Sequence, residues 1–358
     1  FNWAAYRGGS LIITLRMKMS ERILRGTLAG SIMFLVVVSC VRKESYHELT
    51  GYAQGGTYSV KFKYDGEVNL DEIKRSVDSI LTLIDTTLSG YNKGSQLSRY
   101  NAGEHVIPNE LFKEIFTISK RLYDETDGAL DMASGPLYDV WGFGFTGDSL
   151  PSAATVDSLM AICGMDKLDA NMLPLDPAVR PELNFNAIAQ GYTCDKIAGY
   201  LHSLGVKDML VNIGEIYCEG LNPSGKPWTI GVDVPEDGNM ELGGKGLIGI
   251  WQGDGSGCGV VTSGNYRKFY VKNGRKYSHT IDPRTGYPVD HALLSATIVA
   301  PDATLADAYA TYCMVIGLEE AIRFIDSLDE LEGYLVYADG DSMAEWASSG
   351  FNLVRDGR

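Results

Sequence analysis

Apolar and polar residues switch between two periods along this chain, and the switches divide it into elements. "GGTYSVKFKYDG" (55–66) alternates, with Tyr58, Lys61 and Lys63 set between Val60, Phe62 and Tyr64, and predicts a strand ending in an Asp-Gly turn. In "DEIKRSVDSILTLIDTTLS" (71–89) the period lengthens: Ile73, Val77, Ile80, Leu81, Ile84 and Leu88 fall on one helical stripe behind an acidic first turn. "NELFKEIFTISKRLYDETDG" (109–128) predicts a second helix closed by glycine, and the chain to about residue 182 reads as connecting helix and loop. "GYTCDKIAGYLHSLGVKDMLVNIG" (191–214) reads as helix, glycine stop and strand. From Pro227 to Val299 short alternating runs and Gly-rich turns predict strands. Residues 303–328 are helical in pattern, and "LEGYLVYADGDSMAEWAS" (331–348) is a hairpin about Asp339-Gly340 with Trp346 on its return strand. Helices and strands mix without strict βαβ alternation. The expectation is an α+β fold of mainly antiparallel sheets flanked by helices.

The first 52 residues follow another logic. From Met17, basic residues (Lys18, Arg22, Arg25) precede an apolar run from Gly26 to Ser39, too short for the ~20 residues a spanning helix needs. That layout is a secretory signal. Its end, "VVSC" (37–40), resembles a lipobox, in which Cys40 would take a lipid. Residues 1–39 are therefore read as upstream sequence plus lipoprotein signal, 40–52 as a polar tether and 53–358 as the globular domain. The protein is expected on the periplasmic side of a bacterial membrane, held by that lipid.

Charge narrows the partners. The chain carries −15; residues 1–39 hold five basic side chains and one acidic, so the remainder carries −19. Such a surface repels polyanions, which argues against nucleic acid and requires a local device for any anionic ligand. Beyond Cys40, the cysteines 163, 194, 218, 258 and 313 are odd in number, widely spaced and without a CxxC pair, so they read as buried thiols.

Four stretches carry candidate chemistry, each with a plainer structural alternative. In "LADAYATYC", Asp307 and Thr311 lie four apart on one helical face, two hard oxygens suited to Mg²⁺ or simply solvated. "LNFNAIAQGYTCD" (183–195) joins a strand to a helix through small residues, allowing close approach to a ligand or only tight packing. "DGALDMASGPLYDVWGFG" (127–144), with Tyr138, Trp141 and Phe143, is a flat pocket for a ring system or a core loop. In "SHTIDPRTGYP" (278–288), His279 precedes a rigid Asp-Pro and Thr-Gly corner. It could move a proton there, or merely end a strand.

In order along the chain, "LSGYNKGSQLSRYN", "DGALDMASGPLYDVWGFG", "NFNAIAQGYTCDKIAGYL", "LVNIGEI", "TSGNYRKFYVKNGRKYSHTIDPRTGYPV" and "SATIVAPDATLADAYATYCMVIG" resemble the ApbE family, the FAD:protein FMN transferases. The likeness spans about residues 50–350. It implies a T-fold-like α+β domain that binds FAD with Mg²⁺ and passes FMN to a Thr or Ser of an extracytoplasmic flavoprotein, such as a membrane redox-complex subunit, releasing AMP. By motif position, Asp307, Thr311 and the Ala187 carbonyl match the metal ligands. Gln54, Tyr91, Ala129, Leu130, Asp131, Asn184, Gln190, His279, Ile281 and Asp282 match flavin contacts, and His279 matches the catalytic histidine. Departures are the single glycine of Asn212-Ile213-Gly214-Glu215, where the family usually has two, Asn184 where many members have Asp, and Gln190 in place of a common Lys or Glu. Inside a strand a one-residue deletion would flip every following side chain. A metal-dependent FAD pyrophosphatase giving FMN and AMP, and a non-catalytic flavin-binding lipoprotein, stand as alternatives.

Overall fold

Side chains alternate across a strand, so Tyr58 belongs with Val60 and Phe62 on the buried face, and not with Lys61 and Lys63 as the polar pattern suggested. The computed structural model describes residues 45–355 apart from 144–149, 238, 240–242, 267 and 273. The signal segment and Cys40 lie outside the described residues. Among those described, no helix is long and apolar enough to cross a membrane.

Residues 46–52, read as tether, belong to strand β1 (Tyr46–Ala53), which pairs antiparallel with β2 (Gly56–Lys63) from Tyr46↔Lys63 to Ala53↔Gly56. Only Leu49 of β1 is buried, so the strand has almost no hydrophobic signature and is held by its ladder. The compact unit therefore begins at Tyr46. Gln54 and Gly55 form the two-residue turn, both at positive φ (51° and 83°), as a tight hairpin demands.

Helices α1 (Leu70–Leu88), α2 (Gln96–Asn101), α3 (Glu110–Glu125), α4 (Gly135–Val140) and α5 (Ala153–Met160) lead to α6 (Ala189–Ser203). Asn69 and Asn109 cap α1 and α3 by accepting from the N–H groups of Asp71 and Phe112. The 183–187 stretch before α6, expected to be a strand, is irregular. Leu183 exchanges hydrogen bonds with the Asn101 side chain, and the Asn184 N–H donates to the Met132 carbonyl. Strands β3 (Met209–Asn212), β4 (Ile216–Glu219), β5 (Thr229–Asp233), β6 (Leu247–Gln252) and β7 (Cys258–Gly264) follow. Next come β8 (Phe269–Lys272), β9 (Arg275–Ser278), β10 (Ile281–Asp282), β11 (Tyr287–Pro288) and β12 (Leu293–Ala300). Residues 303–328 form two helices, α7 (Ala303–Ile316) and α8 (Leu318–Asp326), because Gly317 at φ 80° ends the first. Finally β13 (Glu332–Asp339) and β14 (Ser342–Ala347) make the expected hairpin, with β15 (Leu353–Val354) beyond.

One eight-stranded sheet runs β1-β2-β3-β4-β7-β12-β13-β14, every pairing antiparallel. One face of its first half packs on α1 and α6 through Val60, Phe62, Val77, Ile197 and Val211. In the second half alternate residues part company: Val261, Ile298 and Leu335 join the helical core, while Val260, Val299 and Val336 face the three-stranded sheet β15-β6-β5. The α+β expectation with antiparallel sheets holds. Cys163, Cys194, Cys218, Cys258 and Cys313 are free and buried, as their spacing implied.

Candidate active site

Helix α7 is buried almost all round, so its sequence carries no amphipathic stripe, and its contact with α6 depends on small residues. A Cβ on Gly191 would lie 2.1 Å from the Ala303 carbonyl oxygen, which leaves room for glycine alone. The start of α7 is held by two carboxylates, in keeping with its positive dipole end. Asp302 accepts from the Leu305 N–H at 2.7 Å, and Asp195 of α6 accepts from the Ala303 and Thr304 N–H groups at 2.9 and 2.8 Å. Burial pushes Asp195 up to about 6.

One turn further on is Asp307, 5% exposed, whose Oδ2 accepts from the Gly191 N–H at 3.1 Å. Burial, then the nearby charges of Glu215 and Asp195, hold its carboxyl well above the usual range. A carboxylate desolvated among other acids is the group a divalent cation would relieve most. Thr311 lies one turn on along the same helical face, half-buried. Ala187 precedes α6, and the Gly191 N–H that a continuous helix would return to its carbonyl goes to Asp307 instead. Among the described residues no three His, Cys, Asp or Glu side chains cluster for a metal. A cation here would instead be held by one carboxylate, one hydroxyl and one main-chain carbonyl, a hard-oxygen set that fits Mg²⁺ with its retained waters.

Other predicted positions meet at the same helix start. Gln190 donates to the Ile213 carbonyl at 2.8 Å, and Gln54 donates to the Thr193 hydroxyl at 2.5 Å. The single glycine of 212–215 falls in the β3–β4 turn, where the Asn212↔Ile216 to Met209↔Glu219 register continues undisturbed. Gly214, at φ 102°, lies so close to Gln190 that a Cβ would come within 2.4 Å of its amide nitrogen.

Ala129 and Leu130 are buried, and Asp131 spends its Oδ1 on the N–H groups of Ala133 (2.8 Å) and Met165 (3.1 Å). Burial raises that carboxyl to about 6. Asn184 likewise accepts from the Asn186 N–H at 3.0 Å. One oxygen of each of these two side chains thus shapes the local backbone. Tyr91 is 67% exposed on the loop after α1. Instead of lining an open flat pocket, Trp141 and Phe143 stack on tyrosines of β8 and β9, which answers in part to the core-loop alternative.

His279 leaves the β8–β9 hairpin. Its Nδ1 is 2.9 Å from the Lys268 carbonyl, to which its N–H also donates at 3.2 Å. A carbonyl only accepts, so Nδ1 carries the proton and Nε2 keeps its lone pair. Burial and the Lys268 charge, opposed by the bond to the Lys268 carbonyl, lower the pKa to about 4, so the ring is neutral at pH 7. The corner beyond is satisfied from within: Asp282 accepts from the Arg284 N–H, Nε and Nη2, each at 2.9 Å, and its carbonyl accepts from Gly286 at 2.8 Å. His279 is oriented by Lys268, from outside the turn, and not by the turn's own backbone. Ile281 is buried, and β10 packs against α7, the helix of Asp307.

A sequence model described as the ApbE family matches residues 54–335. The chain belongs to the ApbE family. It is 31% identical to a Haemophilus influenzae FAD:protein FMN transferase over 94% of this chain and 99% of that protein. With the FAD:protein FMN transferase of Escherichia coli K12 it shares 33% identity over 78% of this chain and 81% of that one. Among solved structures, the flavin transferase ApbE from Vibrio cholerae superposes with a TM-score of 0.74 at 30% identity, over 86% of this chain and 98% of that one. The apo form of the Pseudomonas stutzeri flavinyl transferase ApbE gives 0.73 at 30%, over 86% and 96%.

Sequence reasoning missed Gly191, Asp195 and Lys268. Asp195 meets its partners 108 and 109 residues away, and Lys268 acts through a carbonyl that every residue possesses. No local pattern could mark either.

Proposed function

We propose that this protein is a Mg²⁺-dependent FAD:protein FMN transferase that moves FMN from FAD to a Thr or Ser hydroxyl of an extracytoplasmic flavoprotein and releases AMP. The observation that carries the reading is His279, a neutral imidazole with Nε2 unprotonated, on a stretch packed beside the helix that bears Asp307. The acceptor hydroxyl loses its proton to Nε2 as its oxygen bonds the FMN phosphorus. The phosphorus–oxygen bond to AMP breaks, and AMP leaves with the electron pair. Asp307, Thr311 and the Ala187 carbonyl would hold Mg²⁺, which when bound supplies neutralisation of the phosphate charge. That local device would let so acidic a chain accept a pyrophosphate. The signal-like run and Cys40 support a lipid anchor on the periplasmic face.

Incubation with FAD, Mg²⁺ and a threonine-bearing acceptor protein tests the reading. Covalent flavin on the acceptor with one AMP per flavin is the expected result. FMN and AMP without labelled acceptor would make the protein a pyrophosphatase, and bound FAD without AMP would make it a flavin carrier.

A further inference from the structure

Phe143, Tyr270, Tyr277 and Trp141 form one column of rings. Successive centroids are 5.1, 5.3 and 5.9 Å apart, with interplanar angles of 25°, 21° and 27°. Its two middle rings are cross-strand partners on β8 and β9. A two-stranded hairpin has little stability of its own, and this column fastens it to the segment that follows α4. Trp141 is the root: it packs with Leu137, Val156, Cys163 and Ile281, and its Nε1 donates to the Gly286 carbonyl at 2.8 Å. At the other end the Phe143 ring meets His279 edge-on, centroids 6.3 Å apart.

The column thus grips both ends of the 278–288 stretch and carries the hairpin whose leading residue, Lys268, accepts from His279 Nδ1. We infer that the column is the positioning device for His279: by fixing the hairpin it holds the Lys268 carbonyl on Nδ1 and keeps Nε2 presented as the proton acceptor. Tyr270 and Phe143 are its positioning residues. Offset-stacked rings suit this task, since they are stiff and lock their neighbours' rotamers.

The inference rests on the reading of His279 as the base, and the test separates the two. Histidine ¹⁵N NMR of the full chain at neutral pH reports the tautomer, and steady-state transfer reports kcat and KM. Tyr270→Leu and Phe143→Leu are expected to replace the single Nδ1–H tautomer by a mixture. They should lower kcat ten- to a hundredfold with KM for FAD unchanged, while Tyr270→Phe, which keeps the ring, restores both. Phe143 is half-buried at the column's end, so its variant serves if Tyr270→Leu does not fold. A leucine variant with unchanged thermal midpoint that keeps the tautomer, or keeps kcat, overturns the inference. Should His279→Ala itself transfer FMN at the parental rate, the role of His279 fails, and the tautomer alone then decides the column.

Discussion

Two regions of this site are built on opposite plans. The α6–α7 junction is made of small residues and acids: backbones touch at Gly191 and Ala303, and Asp307 is desolvated beside Glu215 and Asp195. The 268–288 region is made of rings and a self-satisfied turn, and its working group is a neutral imidazole. The first concentrates negative charge that a cation can discharge; the second holds a neutral imidazole by a main-chain carbonyl beside a column of rings. On the proposed reading, electrostatic and acid-base work fall on separate elements of one sheet-backed frame.

The comparison breaks most visibly at His279. His279→Ala is expected to lower transfer about a thousandfold, within the range for loss of a general base, while FAD binding measured by flavin fluorescence persists. If Asp307 serves the cation, Asp307→Ala should cost about a hundredfold and abolish the Mg²⁺-induced rise in thermal midpoint, a readout independent of turnover. Continued stimulation by Mg²⁺ would move the cation elsewhere. Gly191→Ala forces a Cβ against the Ala303 carbonyl and should cost about 2 kcal/mol in denaturant unfolding. An unchanged midpoint would mean that α6 and α7 can slide apart.

The smallest effect is one of pH. A base lowered to about 4 stays unprotonated as pH falls through 6.5, so kcat/KM should hold to about pH 5 and decline only toward 4. A limb centred at 6.5 would mean that His279 is hydrated in the working enzyme.

Much of this was legible in the residues. The α1 stripe, the glycine stops and the Asp339-Gly340 hairpin come from local periodicity and turn chemistry, and each appears where the pattern puts it. β1 escaped notice because an edge strand with one buried side chain is specified by its partner's backbone. Likewise "LNFN" has the composition of a strand, yet its backbone groups are claimed by Asn101 and Met132. The six ordered motifs brought out the candidate residues, but not the local bonds that hold them: Asp131, Asn184 and Asp282 each accept from nearby N–H groups.

The sequence by itself determined most element types, the α+β class, the acidic surface and the short roster of groups able to do chemistry. These depend on neighbours within a few residues and on composition. Tertiary structure alone decided which nitrogen of His279 carries the proton, why Asp307 resists ionisation and where the single glycine between β3 and β4 sits. Each is set by atoms brought within a few ångströms from distant parts of the chain, where desolvation and hydrogen-bond geometry act and sequence periodicity is silent.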